Sequence, residues 1–261
     1  MDHEISSFAK TPDKIGGPPE QFVYYYHYHP ARSHEIPLQF FDSFKGYLHC
    51  DGFAAYDTLA AKQPTVKLVG CLYHVRRKFV EVAKLAGGKE GIATTSINYI
   101  AKLSMIEENI KQLSSQDRRQ ARQEKSLPIL QEWHTYLLNV QSQVPPKSLL
   151  GQAISYTFNQ WPKLLTYLDD GRLEISNNRS ERAIKPFVIG RKGWLFADSV
   201  EGAGAAAIIY SLIETCKHHH IEPYHWLRYA LQMLPSCQTV KELEALLPFN
   251  VTPEQLTIPA T

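Results

Sequence analysis

The sequence predicts an α/β fold that carries a large all-helical insertion and a helical C-terminal appendage. Strand-like and helix-like patterns alternate over residues 46–86, and this order implies parallel strands joined by a right-handed crossover. Over residues 92–168 the alternation disappears, and apolar residues recur only at helical spacing. After residue 217 a further helical pattern follows, which forms the appendage.

The strands are predicted in the first third of the chain. Residues 1–20 read as an irregular segment, because Pro12 and the Gly-Gly-Pro-Pro cluster at residues 16–19 leave no room for a periodic element. Strands are predicted for three apolar runs rich in β-branched or aromatic residues: residues 21–29, 46–50 and 65–69. Helices are predicted after each of these strands: residues 36–44, 53–61 and 72–86.

The second half of the chain is predicted to be mainly helical, with one exception. Residues 178–184 predict a short helix that Pro186 stops, since proline lacks the amide hydrogen that a continuing helix needs. Residues 187–196 form two apolar runs around a Gly-Arg-Lys-Gly turn, which makes them a β-hairpin candidate. Longer helices are predicted for the remaining apolar patterns: residues 97–113, several segments up to residue 168, 202–217 and 223–234.

These elements suggest five consecutive parts. They are an irregular N-terminal segment (1–20), a first part of the α/β core (21–91), the helical insertion (92–168), a second part of the core (169–217) and a C-terminal helical element (218–261).

Composition limits the class of protein. With 44% hydrophobic residues in 261, the chain can bury a substantial core, and a net charge of +2 says little about partners. Four cysteines are too few for a disulfide scaffold. The N-terminus shows no signal peptide and no apolar run is long enough to span a membrane, so a cytoplasmic protein without a membrane partner is predicted. Local basic clusters at residues 76–78, 118–122 and 179–192 either contact phosphates or form solvated helix faces.

Two acidic residues stand at positions where chemistry is possible. Asp51 follows an apolar strand, and sites in parallel α/β sheets gather at such strand ends, although a plain Asp-Gly turn explains it equally well. Glu181 lies in the first turn of a predicted helix, where it can instead complete a capping box with Asn178.

Other candidate motifs are weaker. Cys71 and His74 form a Cys-x-x-His pair, but a zinc site needs three or four ligands and no second pair stands at suitable spacing. His74 can hydrogen-bond near the carboxylates or be a partly buried helix histidine without a role. Residues 218–220 are three histidines that read as a helix end. Phosphate-cradling, nucleophile-elbow and dinucleotide motifs are absent from the sequence, which excludes common kinase, hydrolase and dehydrogenase classes.

Several segments taken together carry a resemblance to a known family. Four of them closely resemble the transposases of the insertion sequence 66 family, in the family's own order: FKGYLHCDGFAAYDTL, GCLYHVRRKFVEV, LDDGRLEISNNRSERAIKPFVIGRKGWLFADS and AAAIIYSLIETCKHHHIEPYHWLR. The resemblance covers roughly residues 21–250 and is most specific at Asn177-Asn178-Arg179-Ser180-Glu181-Arg182.

The resemblance implies a DDE recombinase with an RNase H-like mixed sheet, which cleaves phosphodiesters and transfers DNA strands with two Mg²⁺ (or Mn²⁺) ions. By motif match Asp51 is the second of three metal-binding acids, Glu181 is the third, and His74 is an accessory residue. Transposon ends and target DNA are the expected partners, together with further copies of the chain or other proteins encoded by the element. Candidate DNA contacts are Arg76, Arg77, Arg179, Arg182, Lys185, Arg191, Lys192 and Trp194, the last of which either stacks on an unpaired base or packs in the core.

The sequence departs from the family pattern at the first acid. In the family this acid lies upstream of the segment matching QFVYYYHYHPARS, in an Asp-Glu-Thr-Pro-like context, and Asp2, Glu4 and Asp13 do not stand in such a context. We therefore expect the first core strand, and with it the second, to be missing, and the chain to be a poor enzyme alone. Two alternatives stay open: a non-catalytic remnant that binds transposon DNA or inhibits the full-length enzyme, and a metal-dependent nuclease.

Overall fold

A computed structural model describes residues 4–10, 23–29, 35–193, 197 and 199–257, with only the backbone described for residues 4–10 and 191–193. The chain divides into two compact units. The central unit comprises residues 34–177, and the flanking unit comprises residues 1–33 together with 178–261. Among the described residues, no helix has both the length and the apolar character that crossing a lipid bilayer requires.

The central unit begins with a small parallel sheet and its helices. Strands β3 (Gly46–Cys50) and β4 (Val66–Gly70) pair in parallel, with Cys50 opposite Gly70. The helices around them are α1 (Glu35–Phe40), α2 (Ala54–Lys62) and α3 (Leu72–Leu85). This order confirms the predicted strand–helix–strand–helix run and its parallel pairing.

Helices make up the rest of the central unit. They are α4 (Ile92–Ile110), α5 (Ser115–Ala121), a π-helical turn (Arg122–Ser126), α6 (Leu127–Gln141), α7 (Leu149–Leu165) and a 3₁₀ turn (Thr166–Leu168). They share one hydrophobic core with β4 and α3, and Phe79, Trp133 and Ile100 are fully buried in it. The sheet and the helical region therefore fold as a single packed body.

The flanking unit combines a two-stranded antiparallel ribbon with a set of helices. Strand β1 (Glu4–Lys10) pairs with β2 (Val23–His29). The helices are α8 (Asn178–Gly193), α9 (Val200–His218), α10 (Pro223–Met233), a 3₁₀ turn (Leu234–Ser236), α11 (Val240–Ala245) and α12 (Pro253–Leu256). A small core joins Tyr26 of β2 to Phe187 of α8 and Ala207 of α9.

Hydroxyl groups of α9 complete the hydrogen bonding of β2. The Tyr26 amide donates to Ser211 Oγ at 2.8 Å, and the Tyr24 amide donates to Thr215 Oγ1 at 3.1 Å. Alternate residues of a strand direct their amides to the same side, and residues four apart lie on one helix face, so the two spacings match. The helix thus serves as a partner for a strand edge.

Three sequence predictions are wrong. Residues 4–10 were predicted to belong to an irregular segment, but they form strand β1. Helix α8 continues through Pro186 to Gly193, so the predicted helix stop and the predicted hairpin are both wrong over residues 187–193. Ala183 and Phe187 are both buried, and continuation of the helix keeps them one turn apart on the same face. Burial of the Phe187 ring offsets the hydrogen bond that Pro186 cannot donate.

Candidate functional site

Asp51 lies at the carboxyl edge of the parallel sheet. Cys50 and Gly70 are paired, so Asp51 and Cys71, the residues that follow them, leave the sheet at the same edge. Gly70 allows helix α7 to pack directly against this edge, because a Cβ there would lie 3.2 Å from the backbone nitrogen of Leu164. This edge is the place where ligand sites gather in parallel α/β sheets.

The Asp51 side chain is exposed and its turn is closely held. The Phe53 amide donates to Asp51 Oδ1 at 3.1 Å, and Tyr156 Oη of α7 donates to the Asp51 carbonyl oxygen at 2.9 Å. Gly52 between them has φ +92°, a conformation that favours glycine. The structure therefore contains the Asp-Gly turn, and it also presents a carboxylate at the sheet edge.

Charged groups surround this turn. Lys163 Nζ of α7 lies 2.7 Å from Asp57 Oδ1, and Lys78 Nζ of α3 lies 4.6 Å from the centroid of the Tyr156 ring. Burial raises the pKa of the Cys50 thiol to about 11. Cys50 therefore stays protonated near neutral pH and is neither a nucleophile nor an anionic metal ligand there.

The start of α3 lies at the same edge. Cys71 Sγ accepts a hydrogen bond from the Asn177 amide at 3.5 Å, and the Leu72 amide donates to the Ile175 carbonyl oxygen at 3.1 Å. His74 is half-buried in the first turn of α3. The segment that ends the central unit at Asn177 is thus fixed against the first turn of α3.

Predicted DNA contacts are found on exposed helix faces in both units. Arg76 and Arg77 of α3 are exposed. In α8, Arg182 and Lys185 are exposed and Arg179 is half-buried. Arg191 and Lys192 fall in the last turn of α8, where only the backbone is described, and Trp194 lies outside the described residues.

Glu181 belongs to the first turns of α8 and is half-buried. The helix begins at Asn178, so this asparagine is the first helical residue and not the capping residue of the alternative interpretation. Ala183 and Phe187 bury the opposite face of the helix. The first turns of α8 therefore carry Glu181 together with exposed cationic side chains.

An exposed carboxylate is a suitable ligand for a hard cation such as Mg²⁺. Within the described ranges, however, no three His, Cys, Asp or Glu side chains lie close enough together to hold a metal ion. At the sheet edge the described side chains thus offer the exposed Asp51 carboxylate and not a complete metal site.

Sequence reasoning missed the contacts that α7 makes with the Asp51 turn. Tyr156 and Gln160 are more than 100 residues from Asp51 along the chain, and neither stands in a motif. Arg122, placed in a basic cluster by its sequence, is completely buried. Its guanidinium pairs with Glu107 and donates to the carbonyl oxygens of Tyr167, Asp170 and Leu173, so it cannot contact a phosphate.

Comparison with known proteins places these residues in a family context. Residues 8–205 match the Transposase IS66 family, and residues 211–249 match the IS66 C-terminal element. Asp51, Glu181 and His74 all fall within the first match. No solved structure shows significant similarity to the chain.

The curated relatives come from Sinorhizobium fredii (strain NBRC 101917 / NGR234). The uncharacterized protein y4jD is 37% identical over 220 residues, which cover 82% of this chain and 43% of that protein. The uncharacterized protein y4qI is 32% identical over 256 residues, which cover 96% of this chain and 47% of that protein. The chain thus spans less than half the length of these relatives. By the extent of both family matches, it belongs to the IS66 family of transposases.

Proposed function

We propose that the chain is the catalytic region of a DNA transposase with an RNase H-like core, which cleaves phosphodiesters and transfers DNA strands. The observation that carries the proposal is the exposed carboxylate of Asp51 at the carboxyl edge of the β3–β4 sheet, inside the part of the chain that matches the family. Phosphate chemistry needs a carboxylate that solvent and substrate reach, and Asp51 meets this requirement.

Asp51 and Glu181 are the proposed ligands for Mg²⁺ or Mn²⁺, and two ions are expected in the complete site. Such ions polarise a phosphodiester and stabilise the charge that develops on its oxygens. Oxygen ligands suit both metals, and Mg²⁺ keeps coordination positions for water and phosphate. Two carboxylates balance only part of the charge of two divalent ions, so we expect weak metal binding and low activity for the 261-residue chain alone.

DNA is the proposed partner. Arg76 and Arg77 on α3, and Arg182 and Lys185 on α8, are exposed, and cations at such positions can contact phosphates. Contacts of this kind orient DNA without reading its sequence, so binding should weaken steeply as salt rises. In this proposal these arginine and lysine side chains hold the DNA strand that is cleaved.

The test measures Mn²⁺ binding by calorimetry and Mn²⁺-dependent nicking of supercoiled plasmid by the purified chain. Asp51→Asn and Glu181→Gln should each lower Mn²⁺ affinity by at least about tenfold and abolish nicking, because each removes a charged oxygen ligand. Asp117→Asn and Glu201→Gln are matched controls, since both alter exposed carboxylates near the start of a helix.

The outcomes separate the proposal from its alternatives. Retained Mn²⁺ binding and nicking in Asp51→Asn or Glu181→Gln would contradict the assignment of these residues. Nicking without strand joining would favour a metal-dependent nuclease. Salt-sensitive DNA binding with neither Mn²⁺ binding nor nicking would favour a non-catalytic transposase remnant.

A further inference from the structure

The Asp51–Gly52 turn is held from outside by helix α7. Tyr156 Oη donates to the Asp51 carbonyl oxygen at 2.9 Å. A Cβ built on Gly52 would lie 2.8 Å from Tyr156 Oη and 3.2 Å from Gln160 Nε2. The turn and the helix are therefore packed so closely that no side chain fits between them.

Gly52 also has a backbone conformation that other residues rarely adopt. Its φ of +92° turns the chain sharply after β3, and the Phe53 amide then donates to Asp51 Oδ1 at 3.1 Å. The direction of the Asp51 carboxylate thus depends on the turn, and the turn depends on Tyr156 above it.

Tyr156 is itself fixed in place. Lys78 Nζ of α3 lies 4.6 Å from the centroid of its ring, within the range of a cation–π interaction. The ring is thus held from the α3 side while its hydroxyl group donates to the Asp51 carbonyl oxygen.

We propose that Tyr156 is a positioning residue for Asp51: it clamps the Asp51–Gly52 turn and thereby directs the carboxylate toward the metal. The inference rests on the proposed function. With this role for Tyr156 the helical region takes part in the site, because Tyr156 lies on α7 and Asp51 follows strand β3. Gln160, one helical turn further along α7, lies close to the same position: its Nε2 would be 3.2 Å from a Cβ on Gly52.

The direct test is Tyr156→Phe, which removes the donated hydrogen bond and keeps the ring. Mn²⁺ affinity, measured by calorimetry on the full chain, should fall about three- to tenfold, the scale of losing one supporting hydrogen bond. Tyr136→Phe on α6 is the matched control, because its ring is also half-buried in the helical region but packs against Tyr99 of α4. Both variants should have nearly the same unfolding midpoint.

A second variant keeps the test decisive if one substitution disturbs folding. Gly52→Ala should also weaken Mn²⁺ binding, since its Cβ would meet Tyr156 Oη. In the double variant Gly52→Ala/Tyr156→Phe the combined loss should be smaller than the product of the two separate losses, because both act through one contact. If the two losses of Mn²⁺ affinity multiply fully in the double variant, the positioning role of Tyr156 is overturned.

Asp51→Asn distinguishes failure of this inference from failure of the proposed function. If Asp51→Asn weakens Mn²⁺ binding and Tyr156→Phe does not, the positioning role is wrong and the proposed function stands. If Asp51→Asn leaves Mn²⁺ binding unchanged, both are overturned. A loss in Tyr156→Phe that matches an equal loss in Tyr136→Phe would mean a general structural effect and would also overturn the inference.

Discussion

Two ion pairs, one in each unit, have similar geometry and different surroundings. Arg122 Nη2 lies 2.6 Å from Glu107 Oε2, and Lys217 Nζ lies 2.6 Å from Glu214 Oε1. Both carboxylate side chains are 11% exposed, whereas the Arg122 side chain is 0% exposed and that of Lys217 is 54% exposed. The comparison therefore contrasts a buried cation with an exposed one.

The buried cation needs every one of its hydrogen bonds. Arg122 makes five, two to Glu107 and three to backbone carbonyl oxygens, which matches the five donors of a guanidinium group. A buried charge without such partners would be strongly destabilising. The ammonium group of Lys217 remains hydrated, so water screens its attraction to Glu214. Two ion pairs with the same contact distance are thus expected to contribute very differently to the free energy of unfolding.

The largest effect is expected for Arg122→Met. This change removes the cation closest to the Glu107 carboxylate, leaving Arg118 Nη2 at 3.6 Å, and it removes the donors to the carbonyl oxygens of the segment after α7. Because the pair is buried, the central unit should lose about 3–5 kcal/mol of stability. Hydrogen-exchange mass spectrometry, which reports on the two units separately, is the suitable measurement.

Two further variants make this prediction sharper. Arg119→Ala, at an exposed position three residues earlier, should change stability by no more than about 0.5 kcal/mol. Glu107→Gln/Arg122→Met should be more stable than Arg122→Met alone, because Arg118 at 3.6 Å compensates the Glu107 charge less well than Arg122 at 2.6 Å does. An Arg122→Met protein with the stability of the parent would remove the basis of the comparison.

A second, smaller effect depends on pH and concerns His49 of β3. Burial, and then the positive charge of Arg122, lowers the pKa of His49 to about 4. The unfolded chain binds a proton on this residue below about pH 6.5, whereas the folded chain does not until about pH 4. The contribution of His49 to stability is therefore fully present above pH 6.5 and is lost as the pH falls toward 4.

Comparison of His49→Gln with the parent chain measures this effect. Between pH 7 and 4.5 the parent should lose about 2–3 kcal/mol more stability in the central unit than the variant does. His225→Gln is the control, because it alters an exposed histidine of the other unit. Parallel pH profiles for the parent and His49→Gln would show that His49 takes up its proton equally well in both states.

Local patterns were sufficient to predict most of the elements. The strand at residues 46–50 and the helix that begins at Leu72 are fixed by nearby residues, namely β-forming runs and apolar spacing, and both were confirmed. The predicted helix stop at Pro186 was wrong because Phe187 is buried against Tyr26 and Ala207, which are distant from it in sequence. The prediction of an irregular segment was wrong at residues 4–10 because their strand forms only by pairing with strand β2.

In the candidate site, too, features fixed by nearby residues were predicted and features fixed by distant residues were not. Asp51 was found as a strand-end carboxylate, and the sequence predicted its turn correctly. Its support by Tyr156 was not predictable, because a contact across 105 positions leaves no local pattern. Arg122 likewise resembled its exposed neighbour Arg119 in sequence, and only the packing of the helices makes one of them a buried partner of Glu107.

The smallest effect is expected for Lys217→Met, the counterpart of Arg122→Met in the flanking unit. Lysine and methionine have stems of similar length, so packing along α9 should change little, and only the charge is lost. For an i,i+3 pair whose cation is exposed, the cost should stay below about 1 kcal/mol. Water replaces the ammonium group beside Glu214, an option that Glu107 does not have when its fully buried partner is removed. If Lys217→Met destabilised the flanking unit as much as Arg122→Met destabilises the central one, carboxylate burial and not cation burial would set the strength of these pairs.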